Sequence, residues 1–312
     1  MRPARILGLL AALAVATAAV PASGASFVAQ TGNVANSVST KADWVPPAVT
    51  LTAPADGVFT NDPRPTLSGA AGTAAGDNGT VTAAIYAGAT ATGTAQQTLT
   101  PSVAAGAWTA QPTALADGTY TAQATQDDGA GNTGRSTAHT FTVDTVAPKA
   151  TTISAANGSG TAGRLDTGDT LTFTYSEPID AASVLAGFTG AAKAVQVRFF
   201  NTASRDELTV LDASGAATVK LDTGTTTTGG VSTKANYVGG TVTFAGTLTR
   251  SADGQSFSIV LGAPTAGAAN IRNKAVAAAN MSWSVKAGAA DRAGNLVTAG
   301  ASVAETDSDV DF

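Results

Sequence analysis

Apolar side chains in this chain recur at every second position with threonine or serine between them, the spacing of a strand half-buried in a sheet. Leu171, Phe173 and Tyr175 alternate with threonines in TLTFTYSEP, and Val195, Val197 and Phe199 do the same in AVQVRFF. Phe257, Ile259 and Leu261 in SFSIVLG, Val242 and Phe244 in TVTFAG, and Phe141 and Val143 in HTFTVD repeat the pattern. Threonine suits the wet face of a strand because its branched β-carbon fits the pleat while its hydroxyl stays in water. Between the runs lie Asp56-Gly57, Asp117-Gly118, Asp128-Gly129, Asn157-Gly158 and Asp253-Gly254, pairs suited to reversing a chain. Short strands divided by turns, with no sustained helical spacing, predict an all-β fold of antiparallel sandwiches. The alanine-rich runs Ala181–Ala186 and Ala275–Ala279 are each read as one helical turn.

The first 25 residues follow another logic. Met1 to Arg5 carries two arginines, Ile6 to Val20 is apolar and free of charge, and Pro21-Ala22-Ser23-Gly24-Ala25 offers small residues for cleavage. That order is the secretory pattern, so residues 1–25 are read as a signal peptide. The apolar run falls short of the roughly 20 residues that span a bilayer. No second run of that length follows. The expected product is therefore secreted, extracellular or cell-wall associated in a bacterium, with no membrane span once the signal is removed.

Residues 26–46 are expected to form an extended N-terminal segment. The remainder is too long for one sandwich of roughly 100 residues. Val143-Asp144-Thr145-Val146-Ala147-Pro148 reads as a linker, because proline removes a backbone donor and fixes φ. The expected domains are thus 47–146 and a longer 147–312, the second with a Thr/Gly-rich insertion at Thr223–Gly230 and an acidic C-terminal tail.

Composition closes several routes to chemistry. The 312 residues contain no Cys and one His, His139, which excludes disulfides, thiolate metal sites and multi-histidine centres. Seventeen Lys and Arg against 22 Asp and Glu leave a net charge of −5 and no cationic surface for phosphates, so nucleic acid is not an expected partner. The only glutamates are Glu177, Glu207 and Glu305, and no pair of carboxylates is singled out for hydrolysis across a cleft. No G-x-S-x-G elbow accompanies His139. An enzyme is not expected, and no catalytic residue is assigned. Trp108 and Trp283 are assigned to core packing, since large rings bury the most area where Ala and Val dominate.

Residues 47–146 carry a set of elements in order: Pro54 to Gly57, Leu67-Ser68-Gly69, Leu115 to Tyr120, Asp128 to Asn132, and Val143 to Pro148. Together these resemble the bacterial immunoglobulin-like (Ig-like) repeats of exported surface and adhesin proteins. Residues 147–304 resemble a longer bacterial Ig-like type through GDTLTFTYSEPID, LAGFTG, SADGQSFSIVLG, Met281-Ser282-Trp283 and ADRAGN. The resemblance implies two tandem Ig-like antiparallel β-sandwiches. Both stretches close with Asp-x-Ala-Gly-Asn, at Asp128–Asn132 and Asp291–Asn295.

Related adhesin repeats hold calcium at domain junctions, so the resemblance implies a calcium site at Asp128, Asn132 and Asp144. A plain hairpin turn is the competing reading, and the preferred one at Asp291 and at the linker alike. The tail Asp307-x-Asp309-x-Asp311 lacks the glycine and distal glutamate of a calcium loop and reads as a solvated terminus.

The function implied is non-catalytic structural or adhesive presentation at a surface, with a protein or glycan as ligand. Two alternatives stay open: a polysaccharide-binding accessory of a secreted hydrolase system, and a self-assembling fibre subunit. The second rests on an echo, VSTKADWV at 38–45 against VSTKANYV at 231–238, identical at six of eight positions. A segment that copies a strand can take its place in a neighbour.

Overall fold

The computed structural model describes residues 43–202, 205–221, 230–233, 235–273, 276, 280–285, 288–299, 302–306 and 312. The signal peptide and residues 26–42 lie outside the described residues. So do 223–229 of the insertion, alanines 275 and 277–279, and the three tail aspartates.

The alternating runs are strands. In chain order they are β1 (Val58–Thr60), β2 (Leu67–Ala70), β3 (Thr82–Ala87), β4 (Gln97–Leu99), β5 (Ala107–Ala110), β6 (Gly118–Asp127), β7 (Thr133–Arg135) and β8 (His139–Val143). There follow β9 (Ala150–Ala156), β10 (Thr170–Tyr175), β11 (Lys193–Asn201), β12 (Asp206–Asp212) and β13 (Gly230–Ser232). The last are β14 (Val242–Arg250), β15 (Ser256–Ala266), β16 (Ser282–Ser284) and β17 (Ser302–Ala304). Among the described residues, helix is confined to one turn at Ala181–Val184, capped by the Asp180 carboxylate accepting from the Ala182 N–H, and a 3-10 turn at Ala268–Asn270.

A six-stranded sheet runs β1-β8-β6-β3-β4, with β7 also on β6, and β2 pairs with β5. The third sheet has nine strands in the order β17-β16-β13-β12-β11-β14-β15-β10-β9. Pairing is antiparallel except between β1 and β8, which run parallel with Val58 opposite Phe141. That pair departs from the uniformly antiparallel expectation.

Compactness divides the chain into two units. The first comprises the described part of Met1–Asp56 with Thr66–Pro112 and Tyr120–Thr140; the second comprises Gly57–Pro65, Thr113–Thr119 and Phe141–Phe312.

In the first unit the core is small: Leu67, Val81, Ala83, Ile85, Ala122 and Ala124 are fully buried, under Trp108 at 2% exposure. The Trp108 indole N–H donates to the carbonyls of Thr50 and Ala70. Gln126, 1% exposed, clips three backbone groups. Its Oε1 accepts from the Gly72 N–H at 2.7 Å, while Nε2 donates to the carbonyls of Gly72 and Asn78. His139 places Nδ1 2.8 Å from the Pro54 carbonyl oxygen, a structural contact.

The second unit folds its nine-stranded sheet over one apolar core. Phe173, Tyr175 and Trp283 meet edge to face with centroids 5.0 and 5.2 Å apart, and the Trp283 N–H donates to the Leu221 carbonyl at 2.9 Å. Phe312 is fully buried against Phe199 and Tyr237. The edge strands β9 and β17 come together. Beside them Glu305 accepts from the Ala155 and Met281 N–H groups, one on each carboxylate oxygen. Among the described residues no helix is long and apolar enough to cross a membrane.

Candidate metal centre

Each Asp-x-Ala-Gly-Asn turn folds around its own aspartate. In the first, the Asp128 N–H donates to the Asn132 carbonyl at 3.0 Å. Asp128 Oδ1 accepts from the Ala130 and Asn132 N–H groups at 2.9 and 2.8 Å, and Oδ2 accepts from Asn132 Nδ2 at 2.7 Å. Gly131 sits at φ 81°, where a side chain would be strained. Burial pushes the Asp128 carboxyl up, but the hydrogen bonds from Asn132, Ala130 and Gly131 outweigh it and hold the group below the ordinary carboxylate range. Its charge is already committed to the turn.

The second turn has the same build. The Asp291 N–H donates to the Asn295 carbonyl at 3.1 Å, Oδ1 accepts from the Asn295 N–H at 2.9 Å, and Oδ2 accepts from Asn295 Nδ2 at 2.8 Å. Gly294 takes φ 92°. Here, though, further carboxylates arrive. Asp144 follows β8, Glu177 follows β10, and a bridge between Ile179 and Asp291 draws the Glu177 turn to the closing turn. One carboxylate oxygen from each of Asp144, Glu177 and Asp291 lies within 4.8 Å of the others, all inside the second unit. Among the described residues this is the one grouping of three metal-capable side chains.

The electrostatics are unfavourable as they stand. Burial, then the charges of Asp144, Asp291 and Asp117, push the Glu177 carboxyl above its usual range. Glu177 Oε1 is shut off from solvent with no hydrogen-bond partner. The one ion pair among the described residues, Arg205 with Glu207 at 3.2 Å, is not part of the group. Arg292, next to Asp291, sets its guanidinium 3.9 Å above the Phe59 ring. Three carboxylates, one of which also carries an orphaned oxygen, suit a hard cation such as calcium, which takes oxygen ligands and tolerates irregular geometry.

The structure thus brings Asp128 and Asn132 together, and joins Asp144 to Glu177 and Asp291. The sequence links Asp144 to the turn before it and singles out no carboxylate partner for Glu177. The missed signal was order along the chain: Asp144 opens the stretch that Asp291 closes. Trp108 and Trp283 are in their cores. Exposed large apolar side chains among the described residues are Trp44, Val45, Val146, Val260 and Leu296, so they offer no row of aromatic platforms for a sugar.

A search of curated proteins finds no match. Among solved structures, the chain is similar to the fibronectin(III)-like modules of Clostridium thermocellum CbhA at 14% identity and a TM-score of 0.29, covering 82% of this chain and 92% of that one. It is also similar to dimeric latent PorU from Porphyromonas gingivalis at 17% identity and a TM-score of 0.25, covering 71% of this chain and 20% of that one. Bacterial Ig-like domains are commonly extracellular and typically non-catalytic. The bacterial Ig-like domain family matches residues 50–145, and that stretch of the chain is a bacterial Ig-like domain.

Proposed function

We propose that this is an exported, non-catalytic Ig-like protein that presents a binding surface outside a bacterial cell, and that calcium bound by Asp144, Glu177 and Asp291 stiffens it. The observation that carries the calcium reading is the buried, unpartnered Oε1 of Glu177 within a group of three carboxylates. Holding three anions this close costs free energy that a divalent cation would offset. The protein's residues supply the charge and the geometry; calcium when bound supplies neutralisation and cross-linking of three chain segments.

What the described residues offer supports presentation rather than catalysis. Away from the three-carboxylate group, Glu305 and Asp169 accept from backbone N–H groups, and His139 contacts the Pro54 carbonyl. Calorimetric titration with calcium, and unfolding with calcium against chelator, test the metal. Fractionation of the producing cells tests location: the protein should be in the wall or medium. A cytoplasmic pool, together with no heat of calcium binding, would defeat the reading.

A further inference from the structure

Asn132 and Asn295 each do one thing more than close a turn. Asn132 Nδ2 donates to the Asp43 carbonyl at 3.1 Å, and Asn295 Nδ2 donates to the Asp144 carbonyl at 2.7 Å. The two aspartates lie in matching segments, Asp43-Trp44-Val45-Pro46-Pro47 and Asp144-Thr145-Val146-Ala147-Pro148. Their local folds match as well. Asp43 Oδ1 accepts from the Val45 N–H at 2.9 Å, and Asp144 Oδ1 accepts from the Val146 N–H at 3.2 Å. Even exposure agrees, at 50% for Val45 and 55% for Val146.

We infer that the closing asparagine of each turn is a positioning residue: a clasp that fixes the aspartate opening its own β-unit and, in the second unit, sets Asp144 beside Asp291 in advance of any cation. The chemistry selects asparagine. Its amide carries two N–H donors, and here one goes to the turn aspartate and the other to the lead-in carbonyl. Aspartate at that position has no donor to give, and serine has one. In the first unit the lead-in is pinned a second time, at Gly134 of β7, where a β-carbon would fall 1.9 Å from the Pro47 carbonyl oxygen.

The two clasps differ in what surrounds them. At Asn295 the clasped aspartate meets Glu177 as well as Asp291, whereas Asp43 joins no group of three metal-capable side chains among the described residues. One clasp therefore serves a cation site and its twin only holds the chain. The metal half of this inference rests on the calcium reading above; the clasp does not.

The test uses the full chain, with Asn132→Ala and Asn295→Ala made separately. Amide hydrogen exchange in chelator should quicken at Val146 in Asn295→Ala alone, and at Val45 in Asn132→Ala alone. Asn295→Asp keeps the shape but loses the donors, and should exchange like Asn295→Ala. Calcium affinity should fall about tenfold in Asn295→Ala, as for other residues that orient metal ligands, and stay unchanged in Asn132→Ala. Unaltered exchange at Val146 in Asn295→Ala, equal loosening of both segments by either variant, or full protection in Asn295→Asp would overturn the clasp. If the wild type binds no calcium, the calcium reading falls and the exchange pattern alone decides the clasp.

Discussion

Glu177→Gln separates the cost of the acidic group from its use. Glu177 has two carboxylate neighbours within 4.8 Å, and at water's dielectric constant each pair repels by about 0.9 kcal/mol, so together about 2 kcal/mol. Salt at 0.1 M, with a Debye length of about 10 Å, weakens this by roughly a third, and the lower effective dielectric around a half-buried carboxylate offsets that loss. Glutamine removes the charge, keeps the shape, and can donate its amide to Asp144 or Asp291. In chelator near neutral pH the second unit should therefore gain about 2 kcal/mol, or about 4–8 °C in Tm. In the wild type, calcium at about fifty times its Kd adds about 2 kcal/mol by mass action, a similar rise. The variant has lost a ligand and should rise by under about 1 °C, so the two transitions meet in calcium. Scanning calorimetry resolves this, with the first unit's transition as an internal standard. If Glu177→Gln unfolds no higher than wild type in chelator, or keeps the full calcium shift, the carboxylates neither repel nor share a cation.

The acidity of Glu177 gives a pH dependence with a definite sign. Its folded-state pKa is raised, so the native protein binds the proton more tightly, and stability falls as pH rises from the ordinary glutamate value, about 4.3, through the raised one. Chelated wild type should unfold at higher temperature at pH 5 than at pH 7, and Glu177→Gln should flatten that slope while Asp169 and Asp206, also raised, preserve part of it. In the first unit, Gln126→Leu unpairs the N–H and carbonyl of half-buried Gly72 and the carbonyl of exposed Asn78 and should cost about 1–3 kcal/mol, read by urea titration followed at Trp108. In the second unit, Phe312→Ala empties a site walled by Phe199 and Tyr237 and should cost about 3–5 kcal/mol by the same assay followed at Trp283. A change under about 1 kcal/mol would place Phe312 outside the core.

Much of the fold was legible because it rests on local, periodic physics. Phe173 lies opposite Phe257 and Ile153 across three neighbouring strands, and alternation alone marks Phe173 and Phe257 as sharing the buried face. The pairing order of the nine-stranded sheet was not legible, since no short-range signal tells β13 to lie between β12 and β16. Nor does alternation show that Glu305 would serve the backbone beside two sheet edges; that depends on how far the sheet curls. The parallel pair β1 and β8 was hidden for a similar reason, because Val58-Phe59-Thr60 is too short to declare its direction.

The acidic site shows where such reading stops. Asp-x-Ala-Gly-Asn announces a turn through glycine at positive φ and an aspartate that satisfies nearby N–H groups, and both turns formed as that chemistry requires. What the turn touches is a matter of topology. Each closing turn reaches back to an Asp-x-Val lead-in segment, 89 residues earlier in the first case and 151 in the second. Proximity in sequence pointed Asp144 at the turn just before it, and the fold pairs it with the turn at its own far end. Glu177 was overlooked because Pro178 marks a strand-end turn, and a turn residue is usually free to face water. Here the turn is drawn against Asp291 by the bridge at Ile179, so a glutamate in an ordinary position acquires two charged neighbours and an oxygen with no partner. The residues are commonplace one by one, and only their long-range pairing makes them a candidate site.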